Sequence, residues 1–219
     1  MGPRNHVRTG EPIKYARVSA FNLQPEHLPA AIQMFHKTTA PIVLPQPGFL
    51  ALVGLANHVT GHALVISIWE TDADRDASAA SADFARNLGQ YSSIFSGPMI
   101  RDTYDATFLT LPPPGPDGQS RAGYARVTSA QIQPEMWEEA TARLRDLGER
   151  EFGELAGFMG TIVLENRGTS RTLLVELWET RAALGASENS VFYLDRIARR
   201  SGYVSETPSH EVMEVAGQY

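Results

Sequence analysis

A chain with no cysteine has no thiol chemistry, and its histidines become the first candidates for proton transfer near neutral pH. Its 219 residues include 6 His and 3 Trp but no Cys, which excludes disulfides, thiolate nucleophiles and cysteine-ligated metals. The histidines are unevenly placed. His27, His36, His58 and His62 lie between Lys14 and Phe108, and none follows until His210. Histidine is the side chain suited to general-base work near neutral pH. His36 follows Phe35 and sits one helical turn after Ile32, at a position that would border a pocket. A partly exposed helix histidine is the plainer alternative. His58 and His62 are four apart but flank a turn and have no carboxylate cluster beside them, which does not make a metal site.

The other candidates come in pairs. Trp69 and Trp178 end apolar runs. Arg17 and Arg126 share a strand face with Ser19 and Thr128, and an arginine there would steady a phenolate or carboxylate. Tyr91, Phe95 and Tyr193 would wall a pocket for a flat ring or fill a helix–sheet interface. No G-x-G-x-x-G follows a strand and no G-x-x-x-x-G-K occurs, so no dinucleotide is held tightly by its phosphates.

The pairs reflect an internal repeat. Tyr15-Ala16-Arg17-Val18 recurs as Tyr124-Ala125-Arg126-Val127, and Gln24-Pro25-Glu26 as Gln133-Pro134-Glu135. Gly48-Phe49 recurs as Gly157-Phe158, Asn57 as Asn166, and Trp69-Glu70-Thr71 as Trp178-Glu179-Thr180. Every match has the same offset, 124 − 15 = 109. Such self-similarity marks duplicated structure.

Each copy predicts the same elements. A strand near 14–21 alternates its faces. A helix begins at Pro25, whose missing N–H costs nothing there, and buries Leu28, Ala31, Ile32 and Phe35. The second copy offers Trp137, Ala140, Leu144 and Leu147. Apolar segments 49–55 and 63–69 form a hairpin around Asn57, Thr60 and Gly61. Thr71 caps a second helix with Asp74 three residues on, and Ala73, Ala77, Ala80, Phe84 and Leu88 form its apolar stripe. A last strand runs near 98–108.

The order β-α-β-β-α-β defines a ferredoxin-like unit, one sheet face of which still needs cover. The predicted class is α+β: two tandem ferredoxin-like βαββαβ units forming an intramolecular dimeric α+β barrel. Residues 1–13 are then an N-terminal tail, 14–108 the first unit, 109–123 a Pro/Gly linker and 124–219 the second unit. The net charge of −6, without a basic run, argues against nucleic acid or an acidic membrane surface as partner. Lacking an apolar leader or an 18-residue apolar run, the chain is expected to be cytoplasmic, as a monomeric pseudo-dimer or a homodimer.

Trp69-Glu70-Thr71 and Trp178-Glu179-Thr180 at the strand-to-helix junctions, each followed by an Ala/Ser-rich helix and then Phe84 or Tyr193, resemble the dimeric α+β barrel superfamily. Within it the chain resembles the antibiotic-biosynthesis monooxygenases. Its tandem layout is similar to oxygenases that cleave the B ring of angucyclines on the way to jadomycin-, gilvocarcin- and kinamycin-like products. The resemblance implies an oxygenase acting on a polycyclic aromatic polyketide intermediate by hydroxylation, quinone formation or oxidative C–C cleavage. Oxygen would be activated by the substrate or by reduced flavin (FADH2 or FMNH2) delivered as a cosubstrate by a separate reductase. No tightly bound cofactor and no metal is expected. Haem is not expected either, because the histidine position of haem-degrading members holds Ala79 and Glu188. Cofactor-free quinone-forming members carry an Asn and a Tyr around the tryptophan, where this chain has Val65 and Leu174, then Arg75 and Leu184. The assignment is therefore His36, Trp69 and Arg17 as catalytic residues. Ser19, Tyr91, Phe95, Trp178, Arg126, Thr128 and Tyr193 would contact the small aromatic substrate. The competing functions are a non-oxidative cyclase or isomerase and a non-catalytic small-molecule-binding barrel.

Overall fold

The computed structural model describes residues 5–7, 13–113, 120–146, 155–190, 193 and 202–219. Leu147, residues 114–119 of the predicted linker and most of the predicted tail lie outside them.

In chain order the strands and helices are β1 (Asn5–Val7), β2 (Lys14–Asn22), α1 (Leu28–Met34), α2 (Ala40–Val43), β3 (Phe49–Ala56), β4 (His62–Trp69), α3 (Asp72–Ala80), α4 (Ala82–Tyr91), β5 (Ile100–Leu111), β6 (Tyr124–Gln131), α5 (Trp137–Asp146), β7 (Phe158–Asn166), β8 (Arg171–Trp178), α6 (Arg181–Ser187) and β9 (Ser209–Gln218). A π-helical turn, Phe35–Thr39, joins α1 to α2, and Pro25 and Pro134 each open a short 3-10 turn. The class is α+β, with antiparallel strand pairs.

The repeated residues are those that specify local structure. Tyr15 pairs with Trp69 across β2–β4, and Tyr124 with Trp178 across β6–β8. Trp69 meets Phe49 edge to face at 5.7 Å, and Trp178 meets Phe158 at 5.4 Å. Gly48 and Gly157 take φ of 68° and 76°, a conformation that suits glycine. Their carbonyls accept from Glu70 N at 2.7 Å and Glu179 N at 2.8 Å. Thr71 Oγ1 accepts from Asp74 N and donates to Asp74 Oδ2, the predicted cap, and Thr180 caps α6 through Ala183 N.

Two compact units result, and neither is a contiguous half of the sequence. The first comprises Lys14–Tyr104 with Met213–Tyr219, and the second Asp105–Pro113 with Arg121–Val212, besides the N-terminal residues. The strand order in the first is β5-β2-β4-β3-β9, and in the second β9-β6-β8-β7-β5-β1. In the first unit Leu55 of β3 pairs with Val215, and in the second Leu164 of β7 pairs with Ala106. The expected boundaries at 108 and 124 thus give way to an exchange of terminal strands. Its physical basis is length: β5 has 12 residues, enough to lie beside β2 and to pair with β7 as well, and β3 and β7 would otherwise be bare edges. β5 also runs to Leu111, into the expected linker, and there pairs with Asn5–Val7 of the expected tail.

One helix prediction needs correction. The stripe from Ala73 to Leu88 is not continuous, because the chain breaks at Ser81, with ψ of 141°. Ser81 Oγ donates to Ser78 O and accepts from Phe84 N, ending α3 and capping α4. Ala73, Ala77 and Ala80 are exposed, while Ser78, Phe84, Asn87 and Tyr91 face inward.

Candidate functional site

The first unit contains a cavity built from α1, the π-turn, α4 and the inner faces of β2, β3 and β4. Its walls bound about 670 Å³ of empty space, open solvent at the mouth included. Most of the lining is apolar. Leu28 and Ala31 of α1 and Phe35 of the π-turn come from the predicted helical face, and Leu23, Leu55 and Leu64 also line the cavity. Gly54 leaves space for Phe35, since a Cβ there would lie 2.9 Å from the ring.

Two features give this cavity a chemical direction. One is a ladder of rings. Phe21 and Phe95 stack at 5.5 Å and 19°, and Phe95 and Tyr91 at 6.0 Å and 10°. All three line the cavity. The other is a polar corner. Thr39 Oγ1 lies 2.7 Å from Tyr91 Oη, and Asn87 Nδ2 donates to Thr39 Oγ1 at 3.1 Å. Burial raises the Tyr91 pKa against the opposing effect of its bond to Thr39, so the phenol keeps its proton as a donor. Hydroxyls and a carboxamide at the edge of an apolar slot orient a ring oxygen without carrying charge themselves.

Of the predicted residues, the structure gathers Ser19, Tyr91 and Phe95 at this cavity. His36, Trp69 and Arg17 lie outside its lining. His36 Nε2 donates to Ala216 O at 2.8 Å, which leaves Nδ1 to accept from Tyr219 Oη at 2.7 Å. Both ring nitrogens are thus engaged with the last strand. Trp69 is fully buried against Phe49 and donates Nε1–H to Ser67 Oγ at 3.0 Å. Arg17 is 4% exposed and lies behind Phe84, its guanidinium carbon 4.5 Å from that ring's centre. It donates to Arg75 O and Ser78 Oγ. Desolvation, with Arg101 and Arg75 nearby, lowers its pKa to about 10.

Trp178, Arg126, Thr128 and Tyr193 belong to the second unit. Arg126 is buried and bidentate to Glu176, at 2.8 and 2.9 Å, with Tyr193 stacked 4.4 Å away. Burial opposes its charge, but the Glu176 pair prevails and raises the pKa. Thr128 is buried on β6. The second unit also carries larger or polar residues at positions 109 residues from five that line the cavity. Leu28, Gly54, Ala56, Ala63 and Ala216 are matched by Trp137, Val163, Glu165, Thr172 and Thr107. Glu165 accepts from Thr107 Oγ1 at 2.8 Å and faces Arg145, the counterpart of His36, at 3.5 Å.

Thr39 and Asn87 escaped the sequence reading. Asn87 lies one turn before Tyr91 on α4, beside Phe84 and Leu88 of the predicted stripe, but a stripe read from apolar residues passes over a carboxamide. Thr39 reaches the corner from the π-turn, whose extra residue per turn shifts helical phase.

No protein-family model matches the chain, and no curated protein matches it. Solved structures do. A proposed monooxygenase from Fusobacterium nucleatum subsp. nucleatum is similar at TM-score 0.77 and 12% identity, with 94% of each chain covered. An anthrone oxidase-like protein is similar at TM-score 0.72 and 16% identity, over 98% of this chain and 95% of the other. A proposed monooxygenase from Lactobacillus acidophilus gives 0.68 and 12%, with 93% of each covered. At these identities the likeness establishes the fold, and chemistry has to be argued from the site.

Proposed function

We propose that the protein is an oxygenase for a planar polycyclic aromatic substrate, with the reaction housed in the cavity of the first unit. The observation that carries this reading is the Phe21–Phe95–Tyr91 ring ladder beside the Thr39–Asn87–Tyr91 corner. Flat rings slide along aromatic walls, and a ring oxygen meets a preorganised donor at the corner. The names of the structural neighbours, monooxygenase and anthrone oxidase-like, point to the same chemistry. An angucycline-type polyketide is the fuller version of such a substrate, and two fused ferredoxin-like units forming a barrel are the fuller version of the fold.

Triplet oxygen reacts slowly with closed-shell organics, so the electrons must come from an electron-rich partner. Conversion of an anthrone-type methylene to a carbonyl consumes one O2, releases one water and draws its electrons from the substrate. Ring hydroxylation instead needs two further electrons, which reduced flavin would supply. The protein's part is orientation and exclusion of water. Tyr91 donates to the ring oxygen, Thr39 and Asn87 hold that hydroxyl in place, and the apolar walls fix the ring plane.

Oxygen uptake with anthrone and with a hydroxynaphthoquinone, each with and without chemically reduced flavin, tests this. Uptake above the enzyme-free rate that disappears in Leu28→Trp supports it. No uptake under any of the four conditions overturns it.

A further inference from the structure

The two buried arginines at equivalent strand positions differ in one respect. Arg126 has a carboxylate partner, and Arg17 has none within ion-pair distance among the described residues. The residue 109 before Glu176 is Ser67, and the residue 109 before Glu188, which also pairs with Arg126 at 3.4 Å, is Ala79. Ser67 Oγ is taken by Trp69 Nε1. Trp178 Nε1, by contrast, is buried without a partner. Both acids have therefore been replaced around Arg17, while Ser78 and the aromatic pair Trp69 and Phe84 are kept as counterparts of Ser187, Trp178 and Tyr193. Asp76, the acid in the neighbourhood, is bound to Arg75 at 2.9 Å.

A buried guanidinium with only neutral acceptors costs folding energy. That cost is sustained beside the cavity. Phe84, whose ring carries the Arg17 guanidinium at 4.5 Å, lines it, Ser19 lines it two residues along the Arg17 strand face, and Arg101 adds a second cation 4.9 Å from Phe84.

We infer that the first-unit cavity selects aromatic ligands bearing a negative charge, an aromatic acid or an ionised phenol, and that the charge of Arg17 behind Phe84 and Ser19 is the selecting element. This rests on the cavity being an aromatic site, as proposed above. The second unit carries the same arginine already neutralised.

Fluorescence titration with anthracene-2-carboxylate and its neutral analogue anthracene-2-carboxamide tests the inference. A second pair, 2-hydroxy-1,4-naphthoquinone in its ionised form and 1,4-naphthoquinone, separates phenolate from carboxylate recognition. The wild-type protein should favour the anion in at least one pair by about tenfold. Ser67→Glu, which reproduces the Arg126–Glu176 arrangement, should erase the preference and leave the neutral analogues bound. Arg17→Lys should keep most of it, and circular dichroism checks that each variant folds. No anion preference in either pair, or a preference that survives Ser67→Glu, overturns the inference while leaving the aromatic cavity standing. Failure of all four compounds to bind overturns both.

Discussion

The imidazole of His36 is hydrogen-bonded at both nitrogens to the last strand, through Tyr219 Oη and Ala216 O. Its position beside the cavity is that of a fastener. A buried bond contributes about 0.5–1.5 kcal/mol net, so His36→Ala should destabilise the protein by about 1–3 kcal/mol and Tyr219→Phe by about 1 kcal/mol. Urea unfolding measures both. Turnover by folded His36→Ala should stay within about threefold of wild type. A loss of kcat with unchanged stability would return His36 to the role of base.

Tyr91→Phe separates orientation from packing. The ring ladder survives, but the donor at the polar corner is lost. Stability should fall by about 1 kcal/mol, and oxygen-dependent turnover by about tenfold or more. Binding of a neutral polycycle without a ring oxygen should hardly change. Steady-state oxygen consumption and fluorescence titration together read the split.

The second unit supplies substitutions that should fill the first. Leu28→Trp copies Trp137, and Ala63→Thr copies Thr172. Leu28→Trp should lower aromatic-ligand affinity by about a hundredfold while the far-ultraviolet dichroism stays native. The reverse change, Trp137→Leu, should leave ligand binding as it is and destabilise the second unit by about 2–4 kcal/mol through lost packing.

Glu165 gives stability a particular pH dependence. Burial raises its pKa, opposed by Thr107 and Arg145. A carboxyl with a raised folded pKa holds its proton in the folded state after the unfolded chain has lost it. Its effect is therefore a stability that falls as pH rises from the ordinary carboxylate value through the raised one. Glu165→Gln removes that slope. Urea midpoints for the two proteins should move apart as pH rises above the ordinary carboxylate range, in favour of the variant at the higher pH.

Much of the local structure was legible because short-range chemistry sets it. Thr71 and Asp74 form the cap their spacing predicts, Gly48-Phe49 and Trp69 form the repeated edge-to-face pair, and Leu28, Ala31 and Phe35 face inward. What escaped depends on non-local or cooperative choices. Ser81 can continue a helix or restart one, and tertiary packing of Phe84 and Tyr91 decides. No local signal says that residues 213–219 complete the sheet of the first copy. For the site, Ser19, Tyr91 and Phe95, expected to contact a substrate, line one cavity. Arg17 and His36 border the same region, but their partners are more than fifty residues away in sequence and cannot be read from spacing.

The exchanged strands have a consequence for biosynthesis. The edge of β3 receives its partner from residues 213–219, which leave the ribosome more than a hundred residues after the hairpin they cover. Small domains commonly fold as soon as their own sequence emerges. Here the cavity-bearing half must wait with an open edge until the later half is made, so premature termination between Tyr104 and Met213 would yield a chain that is long yet lacks a finished cavity.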